Sequence, residues 1–212
     1  MSATVTSVNR GTVVETGWGR LKRSGIDKRP VEGPVTITPL GVEGDGIADV
    51  KYHGGHDQAL YAFAGEDVDH WAKHWDRDLS PGTFGENLTT RGIDLNEVRL
   101  GERWQIGSTV VEVSSVRTPC STLAGFTGEK RVVKDFVEIG RPGAYLRVIQ
   151  AGHIAAGDEI TVLETRDHDI TVGLMFRALT TEKKLLARLL EEPRVAAKER
   201  AKAVKAAGAT RK

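Results

Sequence analysis

Only one cysteine, Cys120, occurs among 212 residues. A single thiol excludes an internal disulfide and a four-cysteine zinc site, and it fits a reducing compartment. Long apolar runs are missing as well. No window nears the ~20 apolar residues of a membrane span. The opening MSATVTSVNRG also lacks the basic start and the apolar core of ~7–15 residues of a secretory signal. The expected location is the cytoplasm, with no membrane partner. Neither sign of charge is in excess: 30 Lys and Arg stand against 29 Asp and Glu, a net +1. That balance argues against the broad basic field of a nucleic-acid binder. Residues 182–212 do carry ten Lys/Arg and four Asp/Glu, which leaves the preceding body at a net −5. Those basic residues alternate with Ala at helical spacing, so a solvated helix face accounts for them. A P-loop and a dinucleotide-binding glycine turn are both lacking, so no nucleotide-based redox site is legible.

What is present points to short strands. Glycine is abundant, at 24 residues grouped in turn-like clusters, and β-branched alternation marks strands near residues 4–9, 35–38, 103–106, 109–116, 144–149 and 159–163. Gly107-Ser108 joins two of these as a tight hairpin. The fold class expected is mainly β, a barrel-like domain over residues 1–165 with a few helices. Val68, Trp71, Ala72 and Trp75 form one helical stripe, and a second helix is expected at 131–139. Beyond residue 169 the period changes from 2 to 3.6, with stripes at Leu174–Leu179 and Leu185–Leu190 and an Ala/Lys/Glu-rich stretch at 195–207. Residues 169–212 therefore read as a three-helix appendage, with Thr181 capping its second helix and Pro193 opening its third.

Residues 41–57 hold five glycines together with Asp45, Asp49, His53, His56 and Asp57. Such a stretch is a loop, and Gly44, Gly54 and Gly55 allow positive φ and close approach of an anionic or flat polar ligand to backbone N–H groups. A self-satisfied turn network is the structural alternative. His70 and His74 are i, i+4 neighbours, but they share a solvated helix face with Asp67, which disfavours a metal there. Phe84-Gly85-Glu86-Asn87 puts a carboxylate and an amide in a tight loop, able to fix backbone or to read a heterocycle. Arg117-Thr118-Pro119-Cys120 ends a strand with the chain's one thiol beside an arginine. A thiol so placed has a lowered pKa and serves as soft metal ligand or nucleophile, unless it is simply a buried, inert cysteine.

These runs, with Ala59-Leu60-Tyr61, Gly143-x-Tyr145-Leu146-Arg147-Val148 and Gly157-Asp158, resemble the MOSC family, named for the C-terminal domain of molybdenum-cofactor sulfurases, in its stand-alone YiiM-like branch. The resemblance spans most of residues 1–165. It departs at Gly101-Glu102-Arg103, where the family often has Gly-Asp-Arg, and at Thr118. It implies a β-rich barrel-like fold holding the molybdenum cofactor (molybdopterin), with Cys120 as thiolate ligand to the metal. The implied activity is detoxifying reduction of N-hydroxylated small molecules such as hydroxylaminopurines, with electrons from a separate reductase. Arg117 would pair with the pterin phosphate or keep the thiolate charged. Gly44, Gly54 and Gly55 would offer backbone donors, Asp45 or Asp49 would accept from pterin amino groups, and Phe84, Gly85, Glu86 and Asn87 would complete the cofactor site. His53 or Asp57 would deliver the proton. Pyridoxal phosphate binding and a homodimer are left open. Two rival readings also stand: a non-catalytic carrier of the cofactor or of persulfide sulfur on Cys120, and a zinc hydrolase built on His53, His56 and Asp57.

Overall fold

Thr4–Arg10 is strand β1, with Val5 and then Ser7, Val8 and Asn9 buried, and the short segments Val14–Glu15, Arg23–Ser24 and Arg29–Pro30 follow as β2, β3 and β4. A computed structural model describes residues 2–209. Val35–Thr38 is β5, Gly41–Val42 is β6, and the wholly buried Leu60–Ala64 is β7, which runs straight into helix α1, Gly65–Trp75. Then come β8 (Leu88–Arg91), β9 (Arg103–Ile106) and β10 (Thr109–Val116), with β9 and β10 turning at Gly107, whose φ is +56°. Helices α2 (Ser121–Thr127) and α3 (Val132–Ile139) precede β11 (Ala144–Gln150), β12 (Gly152–Ile154) and β13 (Ile160–Glu164).

Eight strands form one sheet in the order β13-β9-β10-β11-β7-β8-β1-β4. Every pair is antiparallel except β7 with β8, which α1 connects as a crossover. The barrel expected from the strand count does not close. One edge of β1 pairs with β8, and the other is divided: Asn9 and Arg10 pair with β4, while Thr4 meets Glu159 in a lone bridge. Val5 N–H donates to Asp158 and Ile160 N–H to Ala3, so the sheet's ends touch without sharing a ladder. The architecture is a mixed, sheet-rich fold with several helices. Aromatic rings fill its centre. Phe63 stacks on Phe84 at 4.4 Å between centroids, and Trp71 from the α1 stripe packs on both Phe84 and Phe136.

The C-terminal stretch is helical, with three differences from the sequence reading. Val172–Leu179 is α4 and Ala197–Ala209 is α5, but Lys183–Glu191 between them is a 3-10 helix. Thr181 caps nothing there; Thr171 caps α4 instead, its hydroxyl accepting from Leu174 N–H at 3.1 Å. Nor does Pro193 open the last helix. A proline pushes its predecessor out of the helical region, and Glu192 is accordingly extended (φ −109°, ψ 109°), so α5 starts four residues further on. Residues 210–212 of the expected appendage lie outside the described residues. Buried apolar residues from Val5 to Ala203 form one continuous cluster. Among the described residues no helix is long and apolar enough to cross a membrane.

Candidate active site

Two loops meet where β10 runs out. Pro119 cannot extend the ladder, and Cys120 is held extended (φ −139°, ψ 167°) just ahead of α2. Opposite it, the backbone carbonyl of Asp49 accepts the N–H groups of Tyr52 and His53 at 3.1 and 3.0 Å. Gly54 and Gly55 then reverse the chain with φ of +75° and +76°. A Cβ on Gly54 would come within 2.6 Å of the Ile47 terminal methyl, which can shift, so it is the positive φ that calls for glycine there. This turn brings His53 to the thiol. Burial alone would push the Cys120 thiol up, but a hydrogen bond from His53, the charge of Arg117 and the Leu123 N–H outweigh it and bring the pKa down to about 6. Cys120 is therefore a thiolate at neutral pH.

Arg117, only 6% exposed, lies 5.2 Å from the Tyr61 ring centroid in a cation–π contact and hydrogen-bonds Tyr145. Its Nε has no hydrogen-bond partner. Beneath it, Asp45 takes the Lys28 ammonium, Gly11 N–H at 2.9 Å and Asn87 Nδ2 at 2.9 Å. Asn87 Oδ1 in turn accepts Tyr61 N–H at 3.2 Å, tying the 84–87 turn to β7. Burial lowers the pKa of Lys28, against the opposing pull of Asp45. The loops cross so closely that a Cβ on Gly25 would sit 1.9 Å from the Gly46 carbonyl oxygen.

The resulting cleft has an empty volume of about 800 Å³. From the glycine loop Asp45, Asp49, His53 and Gly54 line it; from the second turn, Gly85 and Asn87; from the end of β10, Arg117 and Cys120. Four cations and two carboxylates face it. Since Asp45 pairs with Lys28, Asp49 with Arg20 at 2.7 Å, and the charge of Arg117 is set against the Cys120 thiolate, Arg23 remains in excess. A second cavity of about 820 Å³ shares His53, Cys120 and Tyr145 with the first.

Five expected site residues lie elsewhere. Gly44 and Gly55 shape the loop from behind. Phe84 is core, packed between Phe63 and Trp75. Glu86 is fully buried and accepts from Gly82 N–H at 2.6 Å, Phe84 N–H at 3.0 Å and the Thr89 hydroxyl at 3.0 Å, which makes it the fastener of its own turn. Asp57 is turned away from the thiol: Oδ1 takes Arg147 at 2.6 Å and Oδ2 takes Ala197 N–H at 2.9 Å. Burial pushes its pKa up, but these partners hold it below the usual carboxylate value. A carboxylate so occupied is a poor proton donor, and its place in the sequence next to His56 gives no hint of that. The zinc trio does not assemble, since no cluster of three or more His, Cys, Asp or Glu with metal-holding geometry exists among the described residues. His74 instead faces Asp135 at 3.5 Å. Lys28, Arg23, Tyr61 and Tyr145 were not legible as pocket residues, because each sits in a segment that reads as ordinary strand or surface.

Residues 49–161 match the MOSC domain family. Protein YiiM of Escherichia coli is 34% identical over 155 residues, 71% of this chain and 68% of that protein. The crystal structure of YiiM from Geobacillus stearothermophilus superposes with a TM-score of 0.82 at 26% identity, covering 96% of this chain and 98% of that one. A protein of Gibberella moniliformis named "Reductase" is 30% identical over 202 residues, 86% of this chain but 35% of its own length. The sheet-rich fold and its paired loops thus define a molybdenum-cofactor-sulfurase C-terminal type of domain. This chain belongs to the MOSC family, with YiiM proteins among its relatives.

Proposed function

We propose that this protein is a molybdenum-cofactor-dependent reductase of N-hydroxylated compounds, with Cys120 as the protein's ligand to the metal. The observation that carries this reading is the Cys120 thiolate, held between His53 and Arg117 in a cleft with unbalanced positive charge. The residues fit the group. A metal that arrives chelated by its own pterin needs one soft protein ligand rather than a cluster of three, and a thiolate is that ligand. The unpartnered Arg117 Nε offers a charge-assisted donor to an anionic pterin tail. Gly85 and Gly54, both at positive φ, leave the cleft walls bare of side chains where a flat ring would lie. The fungal relative's name also supports reduction.

When bound, molybdenum supplies a two-electron couple and an oxygen-atom acceptor. The net reaction takes two electrons and two protons to convert an N–OH group into N–H and water. His53, beside the thiolate and within both cavities, delivers a proton toward the leaving oxygen. Asp57 does not. Asp45 and Asn87 orient amino and carbonyl groups of the cofactor, and Arg117 keeps Cys120 ionised. Electrons come from a separate protein, because the chain has no nucleotide-redox motif of its own. In this reading residues 1–165 supply the cofactor cleft and residues from 169 close the second cavity.

Metal analysis of protein made in a cofactor-producing host, beside a cofactor-deficient host, tests the assignment. Molybdenum at near one per chain in the first only, lost in Cys120→Ser, is expected. Persulfide on metal-free Cys120, with no reduction of a hydroxylaminopurine by loaded protein, would favour the sulfur-carrier reading and overturn this one.

A further inference from the structure

Around the opening of the second cavity three cations gather on one ring. Tyr52, 46% exposed, has the charged ends of Arg20, Lys51 and Lys198 at 5.4, 5.5 and 5.7 Å from its ring centroid. A ring face offsets only part of the repulsion among like charges. Carboxylates add little. Asp49 takes Arg20 at 2.7 Å, and the buried Glu199 lies 3.5 Å from Lys202, whereas Lys51 and Lys198 make no ion pair among the described residues. The arrangement is held in place: Asp57 Oδ2 accepts Ala197 N–H at 2.9 Å, which fixes the start of α5, and with it Lys198, against the loop that carries Tyr52. Two residues earlier in that loop stands Val50, at 80% the most exposed large apolar side chain among the described residues. Exposed apolar side chains rimmed by unpaired cations have the anatomy of a protein-docking surface. Arg20, Tyr52, Lys198 and Lys202 belong to the same cavity lining as Cys120 and His53.

Resting on the reduction proposed above, we propose that this rim is the docking face for the electron donor, a carrier protein whose own redox group is surrounded by carboxylates. Charge selects the partner: Lys51 and Lys198 lack counter-charges in this chain, and an acidic face supplies them. Position gives its role, because a protein seated on Tyr52 and Val50 lies against the cavity that Cys120 lines. A nucleic acid fits less well. The chain carries a net charge of only +1, and these cations form one cluster rather than a stripe along which a phosphate backbone would run. Each carrier gives up one electron per visit. Two carrier molecules are therefore oxidised while one N–OH group, with two protons, becomes N–H and water.

The first measurement is calorimetric binding of oxidised flavodoxin and of oxidised plant-type ferredoxin, both acidic, to the full metal-free chain at pH 7. At least one should bind, with affinity falling about tenfold or more between ~20 and ~300 mM salt. Lys51→Glu with Lys198→Glu should weaken that binding about tenfold or more. Lys73→Glu with Lys134→Glu, an equal charge change on exposed positions of α1 and α3, should leave it within about twofold. The second measurement uses molybdenum-loaded protein and hydroxylaminopurine. The rim variant should lose about tenfold in turnover driven by the reduced carrier, yet stay within about twofold when photoreduced deazariboflavin, small and uncharged, supplies the electrons. No binding of either carrier, equal weakening by the two double variants, or unchanged carrier-driven turnover in the rim variant overturns the docking face, as does single-stranded DNA that binds the rim more tightly than either carrier. Turnover with deazariboflavin beside any of these results leaves the reduction standing. Rim-dependent carrier binding by a protein that reduces nothing with either electron source sinks the reduction and leaves the acidic-protein face.

Discussion

Removing the His53 imidazole should make Cys120 an ordinary thiol again. In the folded protein two donors, His53 and the Leu123 N–H, together with the charge of Arg117, overcome burial and set the pKa at about 6. A hydrogen bond to a charged group is worth about 1.5–3 kcal/mol, and each pKa unit corresponds to about 1.4 kcal/mol. His53→Ala is therefore expected to raise the thiol by about 1–2 units. The thiolate fraction at pH 7 would fall from about nine-tenths to half or less. Because Cys120 is the chain's one cysteine, the pH dependence of iodoacetamide alkylation, followed by intact mass, reports it without interference. The sign extends to stability. A folded pKa lowered from 9.0 to about 6 means the ionised thiol stabilises the fold fully above pH 9 and loses that contribution as pH falls through about 6. Cys120→Ser should accordingly show a flatter melting profile between pH 6 and 9 than the unmodified chain. An unmodified midpoint near 8.5–9, or an identical midpoint in His53→Ala, would refute the electrostatic account of the site.

Asp67 provides the opposite case: burial raises it to about 6 despite Arg141 at 3.0 Å, with Asp94 and Glu66 adding to the rise. The fold therefore favours its protonated form and loses stability as pH climbs from about 4 to 6, so the advantage of Asp67→Asn should grow by about 2 kcal/mol between pH 4.5 and 7.5, and a pH-independent difference in urea melts would contradict this. Glu86→Ala strands Gly82 N–H, Phe84 N–H and the Thr89 hydroxyl in the interior and should cost about 2–4 kcal/mol in chemical unfolding, with less than 1 kcal/mol counting against the fastener role. Asp57→Ala should lower stability by about 1–3 kcal/mol through Arg147 and Ala197 and leave the pH dependence of the reduction unchanged; a displaced pH–rate profile would restore Asp57 to the proton path.

Much of the sheet was legible because its code is local. The hairpin at Gly107-Ser108 and the alternation along Thr4–Arg10 or Thr109–Val116 need no tertiary information. The α1 stripe likewise announced Val68 and Trp71 as core. Closure of the sheet was not legible, because it depends on how one edge of β1 is shared between β4 and the 157–160 turn. The 3-10 character of Lys183–Glu191 was hidden for a related reason. Its leucines repeat as a helix would, and only the extended Glu192 imposed by Pro193, with its carboxylate drawn to Arg166, His168 and Arg194 N–H, shows where the chain must turn.

Within the site, the residues that sequence reasoning recovered are those whose chemistry is rare: one thiol, a histidine flanked by glycines, an arginine at a strand end. Among the five that lie elsewhere, Glu86 and Asp57 are common carboxylates whose role depends on what lies across the fold. Arg147 decides the case of Asp57. The same guanidinium also takes Glu112, 2% exposed, at 2.6 Å, and Arg194 carbonyl oxygen at 3.3 Å. Asp57 therefore belongs to a charge network that joins β11, β10 and the stretch before α5, all far along the chain from its own loop. That network fixes the start of α5 against the loop that carries His53. A residue that sequence spacing placed next to the chemistry thus acts by bringing a distant helix to it, and the wall of the second cavity follows from an ion pair that no local pattern encodes.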